Sequence, residues 1–115
     1  MGHHDRISPG EAFERARAGR AVLLDVREDA EFAAGHAPGA LPLPLSRITA
    51  GADLPPGAAG RQVLAICRSG HRSRRAAALL ADRGHDATDV VGGMREWQQA
   101  GLPVHTGEGA RGQVL

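Results

Sequence analysis

The chain has 115 residues, which is the length of one domain and is enough to bury a hydrophobic core. With 42% hydrophobic and 23% charged residues, its composition is globular and excludes wholesale disorder. The formal net charge of +1 offers no global field for nucleic acid or a membrane surface, and no apolar run approaches the ~20 residues of a membrane span.

The first half of the chain predicts helices separated by short strands. Ser8 is placed to cap a helix that ends near Ala18, with Glu11 completing a capping box. The apolar run at residues 21–24 predicts a strand covered on both faces, and a short helix follows over residues 28–34. A very short strand near residue 40 and a helical turn before residue 50 complete this half.

The second half repeats the alternation, with strands predicted at residues 62–66 and 88–91 and helices at residues 73–83 and 94–100. Alternating strands and helices predict an α/β fold, a parallel sheet of about five strands with helices on both faces. The domain is predicted to span residues 6–104. Residues 1–5 are expected to form a loose N-terminus, and residues 105–115 a flexible C-terminal tail.

The segment with the clearest chemical character follows the central strand, which ends at Cys67. A polar loop containing Gly70 comes next, and Ser73 is expected to open the following helix. Because the N–H groups of a first helical turn point into such a loop, the loop is a ready-made anion site. We therefore predict that Cys67 is a thiolate nucleophile in an anion-binding cradle, with Gly70 allowing the loop to curl.

Polar neighbours extend this candidate site. The predicted substrate-binding loop comprises Arg68, Ser69, Gly70, His71, Arg72 and Ser73. We expect Arg68 and Arg72 to attract an anionic donor and hold its oxygens, and His71 to be an exposed loop side chain. Asp25 and Arg27 follow another strand at the same rim and are predicted to support it. No residues around Cys67 have metal-ligand spacing, so neither metal nor cofactor is expected.

Two groups of motifs resemble the signatures of the rhodanese domain. The first is LDVRE at residues 24–28, EF at 31–32 and GHAPGA at 35–40; the second is CRSGHRS at residues 67–73, with Gly92, Gly93 and Trp97. The resemblance covers the chain from about Ile7 to Val104 and is strongest to the single-domain bacterial sulfurtransferases. It implies that Cys67 takes a sulfane sulfur from an anionic donor such as thiosulfate, becomes a persulfide, and passes the outer sulfur to cyanide or a thiol.

Two alternatives stay open. Protein tyrosine phosphatases, and a dual-specificity phosphatase that shares the rhodanese fold, have five residues between cysteine and arginine, whereas four separate Cys67 from Arg72. The shorter loop makes a smaller cradle and favours sulfur over phosphate or arsenate. A non-enzymatic binding or regulatory module would be favoured by loss of the cysteine, which this chain retains.

The single cysteine also bounds the partners and the compartment. It excludes an internal disulfide and, with the lack of an apolar signal-peptide core, leads us to expect a cytoplasmic protein. No second cysteine is available to resolve a persulfide, so the acceptor must be external: cyanide, a small thiol or a partner protein. We expect a monomer that binds neither nucleic acid nor membrane.

Overall fold

Four parallel strands form one sheet in the computed structural model, which describes residues 6–107 and 110–115. The strands, in chain order, are β1 (Ala21–Asp25), β2 (Leu41–Pro42), β3 (Gln62–Ile66) and β4 (Ala87–Asp89). The helices are α1 (Pro9–Arg17), α2 (Asp29–Ala34), α3 (Leu45–Thr49), α4 (His71–Asp82) and α5 (Gly93–Gln99), and a 3₁₀ turn covers Pro56–Ala58. The spatial order of the strands is β2-β1-β3-β4, so β1 and β3 lie in the centre.

The two faces of the sheet carry different helices, because successive side chains of a strand point to opposite sides. On β1, Val22 and Leu24 pack in one cluster with residues of α3 and α4. Ala21 and Leu23 pack in a second cluster with residues of α1 and α5, which includes the fully buried Trp97. Helices on both faces of a parallel sheet confirm the predicted fold class.

The sheet has four strands in the described part of the chain, against about five expected. Beyond β4, Ile7 forms a single parallel bridge to Val90 and no strand. Pairing stops there because Ser8 caps α1 at once, its hydroxyl accepting the Glu11 amide at 3.2 Å, and Pro9 begins the helix.

The main difference in the helices concerns α4, which begins at His71 and not at Ser73. Gly70 precedes it with φ +105°, a left-handed conformation that residues with a side chain rarely adopt. This sharp turn lets the helix begin two residues earlier than predicted. Ser73 therefore lies inside the first turn, where its amide is still free to bind a group outside the helix.

The described part of the predicted C-terminal tail lies against the domain. The backbones of His105 and His36 exchange two hydrogen bonds of 2.9 Å, and the amide of Gln113 donates to Ala34 O at 2.9 Å. The flexibility of this segment stays a prediction. Residues 1–5, expected to be loose, and residues 108–109 of the tail lie outside the described residues. In the part of the chain that is described, no helix has the length and apolarity needed to cross a membrane.

Candidate active site

Cys67 directly follows β3, at the carboxyl end of the sheet between β1 and β4. The residue is 1% exposed. Its carbonyl accepts the Met94 amide at 2.7 Å, which ties the start of the loop to α5. Gly93 packs directly beneath this carbonyl, and a Cβ there would collide with it. The backbone of Cys67 is thus held in place from below by α5.

Three groups surround the Cys67 sulfur. The amide of Gly70 donates to Sγ at 3.1 Å and the amide of Ser73 donates at 3.3 Å. The Ser73 hydroxyl lies 3.4 Å from Sγ. Two amides and a hydroxyl that converge on one sulfur form a cradle suited to an anion, and Gly70 makes it possible by its left-handed turn.

The Ser73 hydroxyl can serve both protonation states of the sulfur. Its side chain is fully buried, and Oγ also lies 3.3 Å from Gly70 O. When Cys67 is a thiol, the S–H donates to Oγ and the hydroxyl proton points to the Gly70 carbonyl. When Cys67 is a thiolate, rotation of the hydroxyl redirects that proton to Sγ. Ser73 is therefore a hydrogen-bond partner that adapts to the charge on the sulfur.

For the sulfur transfer that the resemblance implies, replacing Ser73 with alanine should slow reaction with thiosulfate about 3- to 10-fold, because one of three hydrogen bonds to the anionic sulfur is lost. The measurement is kcat/KM for thiosulfate at neutral pH. Ser46→Ala, which removes an exposed hydroxyl on α3, is the matched control and should leave the value unchanged. Equal rates for the two variants would show that the Ser73 hydroxyl does not stabilise the sulfur.

Arg72, which with Arg68 was expected to hold an anionic donor, is bound to Glu31 of α2. Its two terminal nitrogens donate to the two carboxylate oxygens at 2.7 and 2.9 Å. This hydrogen bonding lowers the pKa of Glu31 from 4.5 to about 2 against the opposing effect of partial burial, and the Glu28 backbone and nearby Arg27 lower it further. The same pair raises the pKa of Arg72. The positive charge of Arg72 is therefore largely matched by Glu31.

The Glu31–Arg72 pair makes stability depend on pH in acid. Since the pKa of Glu31 is lower in the folded state, the pair stabilises the fold above pH 4.5, and this contribution is lost as the pH falls towards 2. Both side chains are partly exposed, so we expect about 1–2 kcal/mol at neutral pH. Urea unfolding of the wild type and Glu31→Gln should show this difference at neutral pH and nearly equal stability at pH 2. A difference that persists at pH 2 would contradict the assignment.

Asp25 and Arg27, predicted as rim support, form an ion pair with both side chains 0% exposed. The Arg27 guanidinium donates to the Asp25 carboxylate at 2.7 and 2.9 Å, and also to Gly35 O at 2.7 Å. Gly35 ends α2, the helix that carries Glu31. The pair thereby joins the end of β1 to α2, the helix whose Glu31 binds Arg72.

The remaining loop residues face outward. Arg68, Ser69 and His71 are exposed, in contrast to Gly70 and Ser73. Arg68 Nε donates to Leu115 O at 2.6 Å, and Ser69 Oγ lies 3.3 Å from His71 Nδ1. Of the residues predicted for the site, the structure brings Cys67, Gly70 and Ser73 into direct contact and leaves Arg68, Ser69 and His71 on the surface.

Two features of the site were not predicted. Glu31 was not predicted to contact the loop, although its place in the first turn of a helix near the same rim was a usable signal. The amides of Met94 and Arg95, which bind the carbonyls of Cys67 and Arg68, carry no side-chain signal at all. Among residues 6–107 and 110–115, no three His, Cys, Asp or Glu side chains are grouped as a metal site.

Comparison with known proteins shows the family to which the chain belongs. Residues 8–100 match the rhodanese-like domain family, and the chain belongs to that family. It is 36% identical over 111 residues to the thiosulfate sulfurtransferase GlpE of Actinobacillus succinogenes, covering 91% of this chain and 94% of that protein.

Other relatives place the same domain in different settings. The chain is 36% identical over 106 residues to an HTH-type transcriptional regulator of Mycobacterium tuberculosis, covering 90% of this chain but only 46% of the regulator. It therefore spans less than half the length of that relative. Among solved structures, a rhodanese-related protein of Thermoplasma volcanium has a TM-score of 0.76 and 26% identity, covering 88% of this chain and 97% of that one.

Proposed function

We propose that this protein is a sulfurtransferase that moves a sulfane sulfur from a thiosulfate-like anionic donor, through a persulfide on Cys67, to an external nucleophile. The observation that carries the proposal is the cradle in which the amides of Gly70 and Ser73 both donate to Cys67 Sγ. Family membership and the GlpE relative support the same reaction class. The proposal takes the protein to be a cytoplasmic monomer that binds neither nucleic acid nor membrane.

The first half-reaction loads the sulfur. The Cys67 thiolate attacks the outer sulfur of thiosulfate, a new S–S bond forms, and the S–S bond of thiosulfate breaks. Sulfite leaves with the electron pair, so no external oxidant or reductant is needed. The persulfide is again anionic at its outer sulfur, and the cradle and the positive end of α4 favour negative charge in this region.

The second half-reaction unloads the sulfur. A nucleophile such as cyanide attacks the outer sulfur, the persulfide S–S bond breaks, and the Cys67 thiolate is regenerated as the leaving group. The chain has no other cysteine. The acceptor therefore comes from outside, as cyanide, a small thiol or a protein thiol, and every group that the cycle requires of the protein belongs to one subunit.

The arginines near the Cys67 sulfur differ in whether their charge is free to bind an anionic donor. Arg72 is matched by Glu31 and Arg27 by Asp25, so neither pair contributes much net charge. Arg68 is the loop arginine without a carboxylate side chain bound to it in the described structure, and it faces solvent. We therefore assign to Arg68 the contact with the oxygens of an anionic donor.

Steady-state turnover with thiosulfate and cyanide tests the proposal, with sulfite and thiocyanate expected in equal amounts. Comparison of thiosulfate, mercaptopyruvate and glutathione persulfide as donors then ranks the donor classes. An aryl phosphate tested in parallel should not be hydrolysed. Phosphate release that requires Cys67, without any thiocyanate, would replace sulfur transfer with the phosphatase alternative.

A further inference from the structure

A surface that begins at the loop of the candidate active site and continues along α4 carries positive charge, of which the proposed site uses only Arg68. No acidic residue occurs between Asp53 and Asp82, and this interval contains Arg61, Arg68, Arg72, Arg74 and Arg75. Arg68, Arg74 and Arg75 are exposed and lie on the loop and the first turns of α4. We call these three residues the α4 patch.

Two arginines near the loop, Arg6 and Arg72, are paired with carboxylates. The two arginines of the α4 patch that lie on the helix, Arg74 and Arg75, are not. Arg72 binds Glu31 at 2.7 Å, and Arg6, whose guanidinium lies near Gly70, binds Asp89 at 2.8 Å. In the described structure, neither Arg74 nor Arg75 has a carboxylate within ion-pair distance. On the other side of the loop, the exposed Arg95 is followed by the exposed Glu96, which offsets its charge. The α4 side therefore carries two adjacent exposed arginines with no acidic neighbour in the sequence, whereas Arg95 has Glu96 next to it.

Arg74 and Arg75 gain no stabilisation from α4 itself. The partial positive charge at the amino end of a helix does not favour cations, and its effect falls off beyond the first turn, where these two residues lie. The first turn of α4 contains no acidic residue, and the side chains four positions beyond Arg74 and Arg75 are Ala78 and Leu79. Because no carboxylate in the described structure is paired with Arg74 or Arg75, we look for their role in an interaction with another molecule.

A small donor at the sulfur does not account for the α4 patch. Ser73 contacts Cys67 Sγ and is fully buried, whereas Arg74 and Arg75 are exposed on the outward face of α4. Arg75 lies five residues beyond Gly70, which is about 7.5 Å along the helix axis. An anion that touches both the sulfur and this face must be larger than thiosulfate.

We infer that the α4 patch docks an acidic surface of the protein that carries the accepting thiol, an inference that rests on the proposed function. The sole cysteine requires an external acceptor, and Cys67 is 1% exposed, so the incoming thiol must be held against the loop. Acidic side chains beside that thiol would complement Arg68, Arg74 and Arg75 and steer its approach. Nucleic acid fits less well, because it carries no thiol and the overall charge of the chain is only +1.

Transfer from persulfide-loaded protein to two synthetic peptides tests this inference. Both contain one central cysteine in 12 residues; one has flanking aspartates and the other has flanking lysines. At low salt, the acidic peptide should react on the order of tenfold faster, and the preference should fall towards one at high salt. Dithiothreitol, an uncharged small thiol, measures the intrinsic reactivity of the persulfide.

The test variant is R74Q/R75Q, and the matched control is R20Q/R61Q, which removes two exposed arginines that precede β1 and β3, at the end of these strands opposite to Cys67. R74Q/R75Q should reduce the preference for the acidic peptide several-fold with little change in the dithiothreitol rate, while the control keeps the preference. Equal rates for the two peptides in the wild type, or equal losses in both variants, would overturn the inference.

Two further outcomes are distinguishable. If thiosulfate leaves no persulfide on the wild-type protein, the proposed function fails before any peptide is added, and the docking inference fails with it. The other outcome concerns a fluorescent single-stranded RNA that binds the wild type and R20Q/R61Q tightly but does not bind R74Q/R75Q. Together with the absence of any preference for the acidic peptide, this result would show that the α4 patch binds nucleic acid instead.

Discussion

Replacing Cys67 with serine should lower turnover of thiosulfate and cyanide by at least about 10³-fold. A serine hydroxyl can occupy the same cradle of amides, yet it is not ionised at neutral pH and no general base contacts this position in the described structure. The alcohol therefore cannot accept the outer sulfur, and the cycle stops at its first step. The measurement is thiocyanate formation at saturating donor and acceptor.

The fold should survive this substitution, which makes it informative. Serine is slightly smaller than cysteine and can accept from the Gly70 and Ser73 amides that now donate to Sγ. We expect the urea midpoints of wild type and Cys67→Ser to be similar. A folded Cys67→Ser variant that retains turnover would move the nucleophile elsewhere and contradict the proposed function.

Replacing Arg27 with methionine should destabilise the protein by about 3–5 kcal/mol, the largest effect on stability that we expect from a single change. Asp25 and Arg27 are both 0% exposed, and Asp25 would be left as a buried carboxylate without its cation. The bond from Arg27 to Gly35 O at the end of α2 would be lost as well. Urea unfolding measures the change in the free energy of unfolding.

The double variant D25N/R27M separates the cost of an unpaired charge from lost packing. Asparagine removes the charge that R27M leaves behind, so the double variant should be more stable than R27M alone. The pair would not stabilise the rim if the changes in the free energy of unfolding of D25N and R27M add up to that of the double variant. A decrease of less than about 1 kcal/mol in R27M would mean the same.

The sequence predicted the elements whose signals are local. Continuous apolar runs marked β1 and β3, and the Ser8 cap marked the start of α1, which the structure confirms. The alternation of elements then determined the parallel sheet, because parallel strands require crossover helices. That topology brings the ends of β1 and β3 to one rim, where Asp25 is the last residue of β1 and Cys67 directly follows β3.

Features that depend on distant residues were not predictable in the same way. Arg72 and Glu31 are 41 positions apart, so nothing in either local pattern shows that they pair. Arg68 and Arg72 were both expected to hold an anionic donor, and the bond of Arg72 to Glu31 is why we propose that role for Arg68 alone. Likewise, the start of α4 depends on the backbone angle of Gly70. Because glycine can adopt several backbone conformations, its presence in the loop did not predict which one occurs.

The backbone contacts of the described C-terminal residues also depend on residues that are distant in sequence. Glycine-rich composition without periodicity predicts a loose tail, and it contains no information about backbone pairing with other segments. Gly112 packs against Gly35, where neither position has room for a Cβ. Such close approach depends on two glycines that are far apart in sequence.

The mass of the intact protein after treatment with thiosulfate tests the central claim most directly. The account predicts that the wild type gains the mass of one sulfur atom, that peptide mapping locates it on Cys67, and that cyanide then removes it with formation of thiocyanate. Cys67→Ser should gain nothing under the same conditions. A wild-type protein whose Cys67 stays a free thiol throughout would contradict the account.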